Sequence, residues 1–164
     1  MIIRTAKMSD LPEITELERI CFPPGQACSE ESFRKRLRYF PNHFLLMFED
    51  GRLVSMVNGM VTKEKDLTDE MYEKASMHQT NGTWQMIFGV DTLPSYRRRG
   101  YAGILIRTMI RDAMAQGRKG LVLTCLKEKI HYYERFGFVN EGVTLKSLHG
   151  GVTWYQMRLT FSAV

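Results

Sequence analysis

The chain has 164 residues, 44% of them hydrophobic, with 23 Lys and Arg against 18 Asp and Glu, a formal net charge of +5 and a pI near 9.2. This suits one core of ordinary size, so a single domain over 1–164 is expected, and the absence of any apolar run near bilayer length excludes a membrane span. Cys21, Cys28 and Cys125 are odd in number and lack a Cys-x-x-Cys pair, which argues against a disulfide framework and a structural zinc site and fits reduced thiols in the cytoplasm.

Residues 2–5 read as a first strand leading straight into a capped helix, not into a signal core. Ser9 or Asp10 caps that helix, whose apolar positions Leu11, Ile14, Leu17, Ile20 and Cys21 recur with helical spacing and which ends at Phe22-Pro23-Pro24-Gly25. Ser29 opens a second helix to about Phe40, closed by Pro41. The apolar runs 43–48 and 53–61 flank Asp50-Gly51, a hairpin signal. A polar insert, 63–82, follows; Thr68 can cap a short helix through Met77. Residues 84–90 form a fourth strand and 91–99 a loop. Residues 102–116 form the best helix, with Ile104, Leu105, Thr108, Met109 and Met114 facing the core. Then come a fully buried strand over 120–125, a short helix over 130–136, and strands over 138–142 and 153–161. This order supports one mixed α/β sheet covered by helices.

The run Arg97-Arg98-Arg99-Gly100-Tyr101-Ala102 joins the fourth strand to the best helix. Unpartnered N–H groups of a first helical turn, with the positive end of the dipole behind them, favour an anion. Gly100 allows close backbone approach, Ala102 and Gly103 keep side chains away, and the arginines add charge-assisted hydrogen bonds. The chain has no Gly-x-x-x-x-Gly-Lys-Ser/Thr and no Gly-x-Gly-x-x-Gly, so neither the P-loop nor the dinucleotide fingerprint is available. Much of the basic excess lies in 97–119, which suits a polyanionic small cofactor better than nucleic acid.

Arg-x-x-Gly-x-Ala after a strand resembles the acyl-CoA signature, Gln/Arg-x-x-Gly-x-Gly/Ala, of the GCN5-related N-acetyltransferases (GNAT). The element order extends the resemblance over nearly the whole chain. Tyr133, four residues before Gly137-Phe138, matches the family's Tyr-x-x-x-Gly-Phe segment, whose tyrosine faces the cofactor sulfur; read alone it would better be taken as a core aromatic. The resemblance implies a mostly antiparallel sheet of six to seven strands with about four helices, acetyl-CoA as cofactor, and transfer of acetyl to a primary amine. It implies cofactor contacts from Arg97, Arg98, Arg99, Gly100, Tyr101, Ala102 and Gly103, and a backbone N–H for the thioester carbonyl around Phe88, Gly89 and Val90. Tyr133 would be the general acid, since a phenol of pKa about 10 stays protonated at neutral pH.

The base is open. The two histidines of the family's arylalkylamine branch would fall near Trp84 and Met86, neither of which takes a proton; His78, His149, Glu128 or a water chain can substitute, with His78 preferred because it lies just before the fourth strand. Residues 21–29 are similar to the Cys-Phe-Pro loop of arylalkylamine and polyamine acetyltransferases, which makes Phe22, Pro23 and Pro24 one wall of an acceptor pocket; His149, Trp84 and Trp154 are further candidates to line it. Residues 63–74 carry five acids against three bases and would mildly attract a cationic amine. Cys125 is an alternative nucleophile. Acetylation of a protein N-terminus or lysine, which would need an open groove, and a silent acyl-CoA sensor remain as alternatives. The expected partner is a small-molecule amine, with no metal, nucleic acid or membrane, and a monomer or homodimer.

Overall fold

The apolar runs become nine strands in two sheets in a computed structural model that describes residues 1–162; the last two residues of the expected 1–164 domain lie outside the described residues. One sheet runs, in spatial order, β1 (Ile2–Thr5), β2 (Phe44–Glu49), β3 (Arg52–Asn58) and β6 (Gly89–Thr92), all antiparallel. The other runs β4 (Val61–Thr62), β5 (Trp84–Ile87), β7 (Gly120–Cys125), β9 (Trp154–Thr160) and β8 (Val139–Thr144), where only β5 and β7 are parallel. This is the mixed, mostly antiparallel α/β class expected.

The expected single strand over 84–90 is divided. β5 stays with β7, and at Phe88 the chain leaves for β3, so Asp91 and Thr92, read as loop, belong to β6. The corner is set by Gly59, between β3 and β4, where a Cβ would collide with the Met86 carbonyl. Both chains therefore cross closely and change sheets together. Met86 N–H donates to Met60 O (2.8 Å) and Phe88 N–H to Asn58 O (2.7 Å) across the corner.

β2 and β3 are buried almost throughout, so both faces need cover. α1 (Leu11–Cys21) and α2 (Glu30–Tyr39) pack together over one face, and α4 (Tyr101–Ala115) lies against β2, β3, β6 and β7 on the other. α1 buries Ile14 and Leu17 but leaves Ile20 exposed. α4 buries Leu105, Ile106, Met109 and Ala113, while Met114, expected in the core, is outside. The inward stripe therefore sits one residue from the expected one. Ser29 caps α2 by accepting from Ser32 N–H (3.1 Å). Asp10 instead takes a bidentate bond from Arg4 (2.8 Å each) and one from Lys7 N–H (2.8 Å), fastening the start of α1 to β1. The insert's helix is short, α3 (Asp69–Glu73), without a side-chain bond from Thr68. A last short helix, α5 (Ile130–Glu134), precedes β8. No helix among the described residues is long and apolar enough to cross a membrane.

Candidate active site

β5 pairs with β7 only as far as Ile87 and Leu123; beyond that β6 follows β3 and a wedge opens between β6 and the end of β7. Leu93 N–H donates to Val54 O on β3 (2.9 Å). Since successive residues of a strand face opposite edges, the N–H groups of Val90 and Thr92 point into the wedge. Phe88 N–H, already given to Asn58, does not. On the same open edge the Thr92 carbonyl accepts from the Cys21 thiol (3.3 Å) and from Arg97 Nε (3.1 Å).

A cleft of about 600 Å³ runs along this edge. Its walls are Cys21 and Phe22 from the end of α1, Val90 and Thr92 from β6, Tyr96, Arg97 and Arg98 from the loop, residues 100–103 at the head of α4, and Lys129, Tyr132 and Tyr133 around α5. Gly100 is the N-cap of α4 in the left-handed region (φ 80°), with nothing within 4 Å of where a Cβ would stand. The first α4 bond into the cap runs from Ile104 N–H to the Gly100 carbonyl (3.1 Å), which leaves the N–H groups of Tyr101, Ala102 and Gly103 facing outward. Tyr101 Oη donates to Glu49 (3.0 Å), tying this turn to β2. Arg99 bonds the Ser95 carbonyl (3.3 Å) and stacks on Tyr96 (4.8 Å), and is not among the cleft walls. None of Arg97, Arg98 and Arg99 meets a carboxylate among the described residues. Free donors, open space and unpaired cations fit a pyrophosphate.

Tyr133 reaches the cleft from α5, edge-on to Tyr132 (5.1 Å) and Phe138 (6.2 Å). Burial, then the neighbouring Tyr132, Cys125, Tyr72 and Asp91, hold its phenol well above the usual tyrosine range. Cys125 is buried, and burial with Glu128 nearby pushes its thiol up to about 11.

The cleft thus gathers Phe22, Val90, Arg97, Arg98, Gly100, Tyr101, Ala102, Gly103 and Tyr133 from the residues singled out in the sequence. Pro23 and Pro24 are not among its walls. Phe88 packs on Tyr72 (4.6 Å), and Tyr72 on His149 (5.0 Å), whose ring lies on Trp154 (4.4 Å). His149 and Trp154 therefore form one aromatic row with Phe88, on the far side of Tyr72. Trp84 is buried elsewhere, under the Arg158 guanidinium (4.6 Å). His78 sits against Phe40 and His43 (5.3 Å each), its Nδ1 accepting from Val61 N–H (3.0 Å). Burial lowers it to about 4.

Thr92, Tyr96, Lys129 and Tyr132 line the cleft without having been singled out, while Cys21 opens the 21–29 segment expected to wall it. Thr92 falls in a stretch read as loop. Among the described residues no group of three His, Cys, Asp or Glu side chains is placed to hold a metal.

A family model described as the acetyltransferase (GNAT) family matches residues 11–138. A serotonin N-acetyltransferase of Mesocricetus auratus is 27% identical over 122 residues, 72% of this chain and 58% of that protein. The uncharacterized N-acetyltransferase YkwB of Bacillus subtilis is 23% identical over 120 residues, 66% of this chain and 53% of that protein. The chain thus spans little more than half the length of these curated relatives. Among solved structures, the GphF GNAT-like decarboxylase in complex with isobutyryl-CoA superposes with TM-score 0.83 at 16% identity, covering 98% of this chain and 99% of that one. A GNAT family acetyltransferase from Brucella melitensis in complex with acetyl-CoA gives 0.63 at 19%, covering 99% and 88%. At these identities the structures establish the shared fold.

Proposed function

The chain belongs to the GNAT acetyltransferase family, and from that premise we propose that it is one N-acetyltransferase domain that moves acetyl from acetyl-CoA directly to a small primary amine. The observation that carries the reading is the cleft that joins the anion cradle at the head of α4 to Tyr133 across the open edge of β6. The acyl-CoA complexes of the two similar structures support the choice of cofactor.

Acetyl-CoA supplies an acetyl group on a thioester, activated for attack by an amine. The N–H groups of Tyr101, Ala102 and Gly103 and the guanidinium groups of Arg97 and Arg98 hold its pyrophosphate. Val90 N–H, of the donors at the corner the one left pointing into the wedge, takes the negative charge that builds on the carbonyl oxygen. Tyr133 gives its phenolic proton to sulfur as the carbon–sulfur bond breaks, and its raised pKa keeps that proton in place at neutral pH.

The bonds that hold the acidic insert support a small acceptor over a protein chain. Asp69 accepts from Leu148 N–H (2.7 Å) and bonds His149 Nδ1 (2.9 Å), and Asp66 pairs with Lys146 (2.7 Å) and Arg158 (2.8 Å). These bonds fasten the insert to β9 and the loop before it and occupy two of the acids expected to attract a cation.

The test is release of CoA from acetyl-CoA with arylalkylamines, polyamines, aminoglycosides and peptides as acceptors. Turnover with a small amine and none with peptides is expected; no release with any acceptor refutes the reading.

A further inference from the structure

On the side of β6 that faces α1 and α2 lies a carboxyl pair outside the steps just described. Asp91 is 1% exposed and Glu18 7%. No N–H or O–H donor reaches either oxygen of Asp91, and the neighbouring carboxyl of Glu18, after burial, raises it. Two carboxyls bond each other only when one holds a proton. Glu18 is itself fixed by accepting from Cys28 N–H (2.7 Å).

The titratable groups facing Asp91 come from every surrounding element: Glu18 and Cys21 from α1, Cys28 from the next loop, Arg36 from α2, Arg97 from the cradle and Tyr133 from α5. Arg36 is 5% exposed; it donates to Asn58 Oδ1 (3.1 Å) and the Tyr72 carbonyl (3.3 Å), and its Nε has no partner. One proton on the pair therefore balances one buried guanidinium. The missing side chain of Gly89 leaves a gap beside Asp91. A Cβ on Gly89, a partly exposed residue, would meet only Asp91 Oδ1 at 3.4 Å and Asn58 Nδ2 at 3.6 Å. The adjoining residue is Val90, whose N–H points into the wedge.

We propose that the gap over Gly89 is an ammonium subsite: the acceptor amine enters as its cation, lies against Asp91, and leaves its first proton on the Asp91–Glu18 pair. This rests on the reading of the chain as an amine acetyltransferase. Arrival of an ammonium with loss of the shared proton leaves the buried charge unchanged, so entry carries no net charge into the core. The proton then moves from nitrogen to an Asp91 oxygen, and the N–H electron pair stays on nitrogen. That lone pair forms the carbon–nitrogen bond as the carbon–sulfur bond breaks and sulfur takes the Tyr133 proton. A second nitrogen proton restores Tyr133, and the third remains in the amide. Burial and Glu18 raise Asp91 toward neutrality, which brings it closer to an ammonium and makes it a stronger acceptor than an ordinary carboxylate.

The test compares full-length wild type, Asp91→Asn and Glu18→Gln, using the amine turned over fastest by wild type in the acceptor screen. Asp91→Asn should lose roughly 100-fold or more in kcat/KM for the amine, keep the KM for acetyl-CoA, and lose the acid limb of the pH profile. Glu18→Gln should move that limb to lower pH, because a neighbouring carboxylate no longer raises Asp91. Calorimetric titration of the same amine in buffers of different ionisation heat should show proton release with wild type and none with Asp91→Asn. A folded Asp91→Asn variant with wild-type kcat/KM and pH profile overturns the subsite and leaves the transferase standing. Wild type without activity on any amine overturns both.

Discussion

Tyr133 is half-buried at the cleft and Cys125 buried behind it, and the loss of solvent sends their chemistry in different directions. A phenol held above its usual range keeps its proton and remains a donor; a thiol at about 11 is hardly ionised at neutral pH and is a poor nucleophile. Tyr133→Phe should therefore lower kcat at pH 7 by roughly 100-fold or more, the contribution of a positioned acid, with the acetyl-CoA affinity retained. Cys125→Ala should leave turnover near wild type and cost only about 1 kcal/mol of stability, the order expected for removing one small buried group. Steady-state CoA release and a chemical-denaturation curve check both. A large loss of turnover in Cys125→Ala together with an active Tyr133→Phe would exchange their roles for a covalent route.

At the scale of elements, the cradle depends on one backbone conformation. Gly100 holds φ at 80° with open space beside it, so Gly100→Ala clashes with nothing yet forces an L-residue into the left-handed region, at about 1–2 kcal/mol. Weaker CoA binding and a lower melting temperature should appear together in calorimetry and thermal unfolding; unchanged CoA affinity would place the pyrophosphate elsewhere. This turn was legible in the sequence because its parts are consecutive. Helix positions were legible for the same reason: a period of 3.6 is a local property, although it placed Met114 inside and the structure does not. The division of the strand at Phe88 was not legible. Residues 84–92 are continuously extended, and what separates β5 from β6 is Gly59, distant in sequence, letting the segment between β3 and β4 cross at Met86. The Asp91–Glu18–Arg36 cluster escaped likewise, since its members come from β6, α1 and α2 and form no motif until the sheet assembles.

Over the whole molecule, two buried sites pull stability in opposite directions with pH. His43 and His78 have rings 5.3 Å apart, and burial depresses both to about 4. Below the unfolded value near 6.5 the unfolded chain binds protons that the folded chain refuses, so stability falls as pH drops from about 6.5 toward 4. A depression of this size corresponds to at most roughly 3 kcal/mol for the buried His43 and to less for the half-buried His78, where solvent screens it. Asp91 acts in the other sense: its folded pKa is raised, the folded chain holds the extra proton, and stability is lost as pH rises above 3.8 until the carboxyl ionises in the fold. The lowered carboxylates Asp10, Asp66, Asp69 and Glu141 lose their contribution mainly below pH 5 and add little to the change above it. His78→Gln, whose side-chain oxygen can still accept from Val61 N–H, should therefore recover stability relative to wild type at pH 5, by more than at pH 8. Asp91→Asn should raise the melting temperature at pH 8 by more than at pH 5. Thermal unfolding of the three proteins at these two values separates the sites. If Asp91→Asn instead lowers the melting temperature at pH 8, the carboxyl is a structural partner there, and the stability cost expected of a buried acid poised to take an amine's proton is absent.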